Sequence, residues 1–133
     1  MADKTSLVYR SGDVFLSAKL RSFLQTYLVG GPKSTFYITY WSIVHFLSGM
    51  AFAALFLWFR PLTSNTRTDT IYLYGLGVHT AWELWQIAIG MNRPFAFSGN
   101  NNIVDILMDT LLFMAGIWLA LFLLQNRIQG ARP

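Results

Sequence analysis

Three long apolar stretches, separated by short polar segments, dominate the pattern of this chain. They lie at about residues 36–59, 70–90 and 103–125, and each is long enough for a helix that crosses a hydrocarbon core of roughly 30 Å. The segments between them are rich in proline, glycine, asparagine and threonine, which end one helix and cap the next. The pattern therefore predicts an all-α integral membrane protein, a bundle of three transmembrane helices.

Residues 14–29 have a different pattern, because apolar side chains recur at helical spacing on one side and polar side chains occupy the other. The apolar positions are Leu16, Leu20, Phe23, Leu24, Tyr27 and Leu28. This pattern predicts an amphipathic helix on the membrane surface, and a helix docked on a partner subunit is the alternative. The Gly-Gly-Pro sequence at 30–32 predicts a hinge. We therefore expect an N-terminal interfacial segment, 1–34, a transmembrane domain, 35–126, and a short polar tail, 127–133.

The composition agrees with a membrane protein. Hydrophobic residues make up 54% of the chain and charged residues only 12%, too few charged groups to cover the surface of a soluble domain. Contact with anionic lipid headgroups explains the net charge of +4, which gives no reason to expect nucleic acid binding. Because the chain has no cysteine, a disulfide, a thiolate nucleophile and an iron–sulfur cluster are excluded.

The distribution of lysine and arginine bears on the orientation in the membrane. Six of these residues would lie on the N-terminal side of the three crossings and four on the opposite side. The six are Lys4, Arg10, Lys19, Arg21, Lys33 and Arg93, and the four are Arg60, Arg67, Arg127 and Arg132. Since positive residues accumulate on the cytoplasmic side, this excess predicts a cytoplasmic N-terminus.

Six polar side chains interrupt the apolar stretches, and they are His45, His79, Glu83, Gln86, Asp105 and Asp109. Three of them follow the i, i+4, i+7 spacing of one face of the second predicted helix, and the two aspartates of the third helix are one turn apart. Antiparallel crossings would bring all six into the half of the bilayer next to the N-terminus. Small residues would allow close contact between the helices, namely Gly49, Ala53, Gly75, Ala81, Ala115 and Gly116. We therefore expect one buried polar cluster.

Glu83 and Asp109 would form the centre of this cluster. Two carboxylates in one low-dielectric layer repel each other, so a proton, a cation or a basic side chain should be shared between them. We hypothesise that Glu83 is a proton acceptor or metal ligand, with Asp109 as its partner, and that His79 and His45 complete a catalytic set. The same four side chains could hold a divalent transition metal such as zinc, iron or manganese.

Three more residues are candidates for substrate binding, and they are Arg93, Gln86 and Asp105. Arg93 would hold a phosphate or carboxylate of a lipid-like substrate at the headgroup level, or would only extend its charge to the interface. Structural alternatives exist for the others. Gln86 could join two helices by a hydrogen bond, Asp105 could complement the positive end of its helix, and His45 could be a neutral side chain bonded to a neighbouring carbonyl.

A set of residues between about positions 41 and 120 forms a family pattern. The set consists of His45-Phe46, Glu83-Leu-Trp-Gln86, Arg93, Asp105 and Gly116. It resembles the core pattern of the VanZ-like family of small membrane proteins. The resemblance implies an association with envelope or lipid-linked glycan processes, including glycopeptide resistance. Asp109 stands where the family pattern has asparagine, and Leu112 stands where it has glycine.

A non-enzymatic function is the competing hypothesis. The chain has 5 tryptophans and 11 phenylalanines, and its outer faces could pack on a larger membrane assembly as an accessory subunit, although aromatic residues also concentrate at lipid interfaces. Three helices rarely enclose a site alone, so a homo-oligomer or other membrane subunits are expected under either hypothesis. In such an assembly His45 and His79 could ligate a haem or a pigment. The pattern leaves open whether the chain is an enzyme.

Overall fold

The computed structural model describes residues 17–31, 37–59, 68–88 and 103–130. Within this part, four helices and two short strands follow one another along the chain, and most residues are helical. The elements are α1 (Ala18–Leu24), β1 (Tyr27–Val29), β2 (Ile38–Thr39), α2 (Tyr40–Phe59), α3 (Thr68–Ala88) and α4 (Ile103–Gly130). Most predicted site residues lie on α2, α3 and α4, and Arg93 lies outside the described residues.

Two of the helices are long and apolar enough to cross a membrane, and they are α2 and the part of α4 from Ile103 to Leu124. The α3 helix has 21 residues and would be long enough, but its polar side chains lower its mean hydropathy. The prediction of a mostly helical protein is thus confirmed, and two of the three predicted crossings correspond to helices that are long and apolar enough to span a membrane. The third crossing remains a prediction.

The helix boundaries differ from the sequence prediction at two ends. The α2 helix begins at Tyr40 rather than near residue 36, because the preceding residues Ile38–Thr39 form a strand. The α4 helix continues to Gly130, so part of the segment predicted as a polar tail is helical. The end of α3 at Ala88 borders residues that the structure does not describe.

The predicted amphipathic helix over 14–29 is wrong in its C-terminal part. The helix α1 covers Ala18–Leu24, and Tyr27–Val29 forms a strand that pairs antiparallel with Ile38–Thr39. Pairing supplies hydrogen-bond partners for backbone groups that a short helix would leave open at its end. The turn after β1 requires Gly30, whose φ of 76° favours a residue without a Cβ. Residues 14–16 and the rest of the predicted hinge beyond Gly31 lie outside the described residues.

Two glycines allow α2 and α4 to pack with their backbones in contact. A Cβ on Gly49 would overlap the backbone carbonyl oxygen of Phe113, and a Cβ on Gly116 would overlap that of Phe46. The apolar core between the helices consists of Ala53, Leu57, Ile71, Phe113, Ile117, Ala120 and Leu121. Gly75 and Ala53 are buried as predicted, whereas Ala81 and Ala115 are exposed, so their prediction as contact residues is wrong.

Candidate functional site

Four ionisable side chains from three helices meet next to the apolar core. They are His45 of α2, His79 and Glu83 of α3, and Asp109 of α4, here called the polar cluster, and each is at most 4% exposed. The cluster is deeply buried, although histidine and carboxylate side chains are rarely so without partners. Each member was named from the sequence, whereas the roles given to them there remain predictions.

The packing stripe of each helix explains why the four side chains meet. The buried residues of α3 are Ile71, Gly75, His79, Glu83 and Gln86, a spacing of three to four that marks one helical face. On α2 the buried stripe runs through Ser42, His45 and Gly49 in the same way. The polar side chains therefore continue the stripes that hold the helices together, and helix packing turns them toward one another.

The cluster is compact. Nε2 of His79 lies 3.0 Å from Nδ1 of His45 and 3.6 Å from Oε1 of Glu83. Nε2 of His45 lies 3.2 Å from Oδ2 of Asp109 and 3.9 Å from Oε1 of Glu83. Both histidines thus face both another imidazole and a carboxylate.

Thr110 determines which nitrogen of each neutral histidine carries the proton. Its hydroxyl lies 2.7 Å from the carbonyl oxygen of Ile106 and donates its one hydrogen there. The hydroxyl oxygen lies 3.4 Å from Nδ1 of His79 and can only accept a hydrogen bond from it. The proton of neutral His79 is therefore on Nδ1. Nε2 of His79 then accepts from Nδ1 of His45. By the same reasoning, Nε2 of neutral His45 carries a lone pair.

The lone pair of His45 faces the two carboxylates. Among the described residues, Nε2 of His45 and Oδ1 of Asp109 have no hydrogen-bond partner and almost no solvent contact. A lone pair directed at carboxylate oxygens is repulsive unless a proton or a cation lies between them. The arrangement can therefore bind a cation, or share a proton among the imidazole and carboxylate groups.

Asp105 and Gln86 are buried but lie outside the polar cluster. Asp105 accepts a hydrogen bond from the hydroxyl of Tyr37 at 3.0 Å, and Gln86 is 1% exposed. Burial, together with the nearby Asp105 carboxylate, raises the pKa of Tyr37 well above its usual range, so this hydroxyl remains a donor. Sequence reasoning did not find Tyr37 or Thr110, because a single tyrosine or threonine gives no periodic signal.

An apolar groove lies beside the two histidines, between α2 and α3. Its volume is about 380 Å³, and His45 and His79 form part of its wall. The other wall residues include Trp41, Val44, Ala51, Leu55, Val78 and Phe113. Several of these side chains are partly exposed on the outer surface, Leu55 to 59% and Val78 to 53%. The groove therefore connects the apolar exterior of the helices with the buried imidazoles.

Comparison with protein-family models, with curated proteins and with solved structures finds no match for this chain. The resemblance to the VanZ-like family thus rests on the residue pattern alone. The geometry defines a helical protein with two helices able to cross a membrane and a buried histidine–carboxylate centre beside an apolar groove.

Proposed function

We propose that the chain is a multi-pass membrane protein with three antiparallel crossings, α2, α3 and α4. The 21 residues of α3 reach across a hydrocarbon core, which takes about 20. Its polar side chains are turned inward, while outward positions such as Leu73 and Leu84 are 71% and 60% exposed. A helix with this distribution presents hydrocarbon to lipid even though its average composition is more polar. The excess of lysine and arginine favours a cytoplasmic N-terminus.

The natural absence of cysteine makes single-cysteine labelling a clean test of the third crossing. Ser6→Cys and Ala131→Cys place a thiol near either end of the chain. Three crossings put these thiols on opposite sides of the membrane. With a cytoplasmic N-terminus, a membrane-impermeant maleimide added to intact cells labels only Ala131→Cys. After permeabilisation it labels both variants. Equal labelling of the two variants in intact cells would mean that α3 does not cross.

We infer that this protein binds a lipid-like ligand, with the acyl or prenyl chain in the groove and the polar end at the polar cluster. The observation that carries this function is the groove itself, which joins an apolar exterior to His45 and His79. Its volume of about 380 Å³ is in the range of small-molecule pockets, about 300–1,000 Å³. The resemblance to VanZ-like proteins favours the same class of ligand, one associated with the envelope.

The chemistry of the wall supports a ligand with one long apolar part and one polar end. Ala51, Leu55 and Val78 offer only hydrocarbon, whereas His45 and His79 bring two imidazole rings to one place in the wall. A polar end placed beside the imidazoles lies next to the polar cluster, and the chain gains contact along the groove. A wholly polar metabolite would leave its own groups without partners against this wall.

Filling the groove tests the proposal. Ala51 lines the groove, and Ala51→Phe should occupy part of it, so that lipid retained by the purified chain falls at least fivefold in native mass spectrometry. Ala54→Phe is the matched control, because Ala54 is an exposed residue of the same helix that is not part of the groove wall. Equal retention by wild type and both variants would refute binding in the groove, and the mass of the retained species identifies its class.

A further inference from the structure

We propose that the polar cluster is a binding site for one divalent transition metal ion, with His45, His79 and Glu83 as ligands. This site goes beyond the lipid-like ligand proposed above and can be tested without it. One ligand atom from each of the three residues lies within 4.8 Å of the other two, and all three residues are buried. Two imidazoles and one carboxylate form a ligand set that suits zinc, iron and manganese.

Two of the three separations between the ligand atoms are close to those around a coordinated ion. Ligand atoms at about 2.0–2.2 Å from a tetrahedral zinc ion lie about 3.3–3.6 Å from one another. Oε1 of Glu83 lies 3.6 Å from Nε2 of His79 and 3.9 Å from Nε2 of His45. Binding requires the hydrogen bond between the two imidazoles to give way to metal–nitrogen bonds.

A second and independent observation points to a cation. Nε2 of His45 and Oδ1 of Asp109 are buried atoms without a hydrogen-bond partner among the described residues. His45 is 3% exposed and Asp109 is 2% exposed, so water does not compensate these atoms. A metal ion at Nε2 of His45 would bind the lone pair that takes part in no hydrogen bond.

The charge of the polar cluster and the orientation of the His79 ring also favour a bound cation. Two neutral imidazoles with two ionised carboxylates carry a charge of −2, which a divalent cation balances within a low-dielectric layer. Thr110 accepts from Nδ1 of His79, the kind of contact that fixes the ring of a metal-ligating histidine. Asp109, with Oδ2 at 3.2 Å from Nε2 of His45, adds its negative charge next to this ligand.

The nitrogen ligands select the class of ion. Magnesium and calcium prefer oxygen ligands almost exclusively, whereas imidazole suits zinc, iron and other transition metals. Three protein ligands leave at least one coordination position open, as in catalytic rather than structural zinc sites. Since His45 and His79 also line the groove, a ligand bound in the groove lies next to two of the three proposed metal ligands.

Cobalt(II) titration of the full chain, purified in detergent without a polyhistidine tag and treated with a chelator, tests this site. Wild type should bind one equivalent with a visible absorption band of nitrogen and oxygen coordination, and elemental analysis after zinc loading should give the same stoichiometry. His79→Ala and Glu83→Gln should weaken binding at least tenfold. Asp69→Asn is the control, since Asp69 is an exposed acid in the first turn of α3, far along the helix from Glu83, and it should bind as wild type does.

Wild type that binds less than a tenth of an equivalent, or an Asp69→Asn variant that loses binding as fully as His79→Ala, would overturn the proposal. Thermal unfolding of each metal-free variant separates lost binding from lost folding. If a variant does not fold, the proposal is tested on the wild-type protein alone. Zinc must then raise the unfolding temperature of the wild-type protein, and magnesium must not. Ala51→Phe should still bind the metal while it retains less lipid. Failure of the metal proposal can therefore be distinguished from failure of the lipid proposal.

Discussion

His45→Leu is expected to destabilise the metal-free protein by about 3–5 kcal/mol, the usual cost of removing one partner from a buried charged pair, because without metal a proton is held between Nε2 of His45 and the Asp109 carboxylate. Nε2 of His45 lies 3.2 Å from Oδ2 of Asp109, and the ring also holds His79 through a hydrogen bond at 3.0 Å. Leucine fills a similar volume but offers neither contact. The unfolding free energy, measured by reversible denaturation in mixed micelles without added metal, reports the loss.

A double-mutant cycle separates this charge effect from simple loss of packing. Asp109→Asn neutralises the carboxylate with little change of shape, so His45→Leu should cost less in its presence than in wild type. The expected coupling is about 1–3 kcal/mol, as for buried groups in direct contact. Strictly additive effects of the two substitutions would show that the imidazole and the carboxylate do not interact.

Gly116→Ala is expected to cost about 3 kcal/mol, the upper part of the range for overpacking. The added Cβ would overlap the backbone carbonyl oxygen of Phe46 and would lie 3.0 Å from the backbone nitrogen of Met50. Backbone atoms of a packed helix cannot rotate away as a side chain can, so α2 and α4 must separate. The same denaturation experiment measures the loss of stability.

Gly77→Ala is the matched control for this steric effect. Gly77 is an exposed residue of α3, and a Cβ there would meet nothing within 4 Å. Since alanine is the better helix former, the substitution should stabilise the helix by about 0.5–1 kcal/mol. A similar loss of stability in both variants would contradict the close contact between α2 and α4.

The long helices could be predicted from the sequence because an apolar run of helical length is a strong and local signal. The two short strands could not. Tyr27 and Leu28 also fit the helical spacing of the segment before them, and Ile38–Thr39 is too short for any alternation of apolar and polar residues to appear. Their pairing depends on contact between separate segments, which a local pattern does not contain.

Only part of the candidate site could be predicted from the sequence. The spacing of His79, Glu83 and Gln86 fixes a common face, so the sequence could propose that polar groups meet between helices. It could not specify that His45 contacts His79, nor that Thr110 orients the second ring, because those contacts depend on the rotation of each helix about its axis. The groove depends on the distance between α2 and α3, which the packing of neighbouring elements determines.

Solid-state nuclear magnetic resonance of the protein in lipid bilayers, with ¹³C- and ¹⁵N-labelled histidine, tests the central claim most directly. The chain has 2 histidines, so each ring signal can be assigned with a single His79→Gln variant. Ring centroids 5.0 Å apart predict a cross-peak between the two imidazoles and, in the metal-free protein, a protonated Nδ1 on His79. Two separate ring systems without any cross-peak would contradict a shared polar cluster.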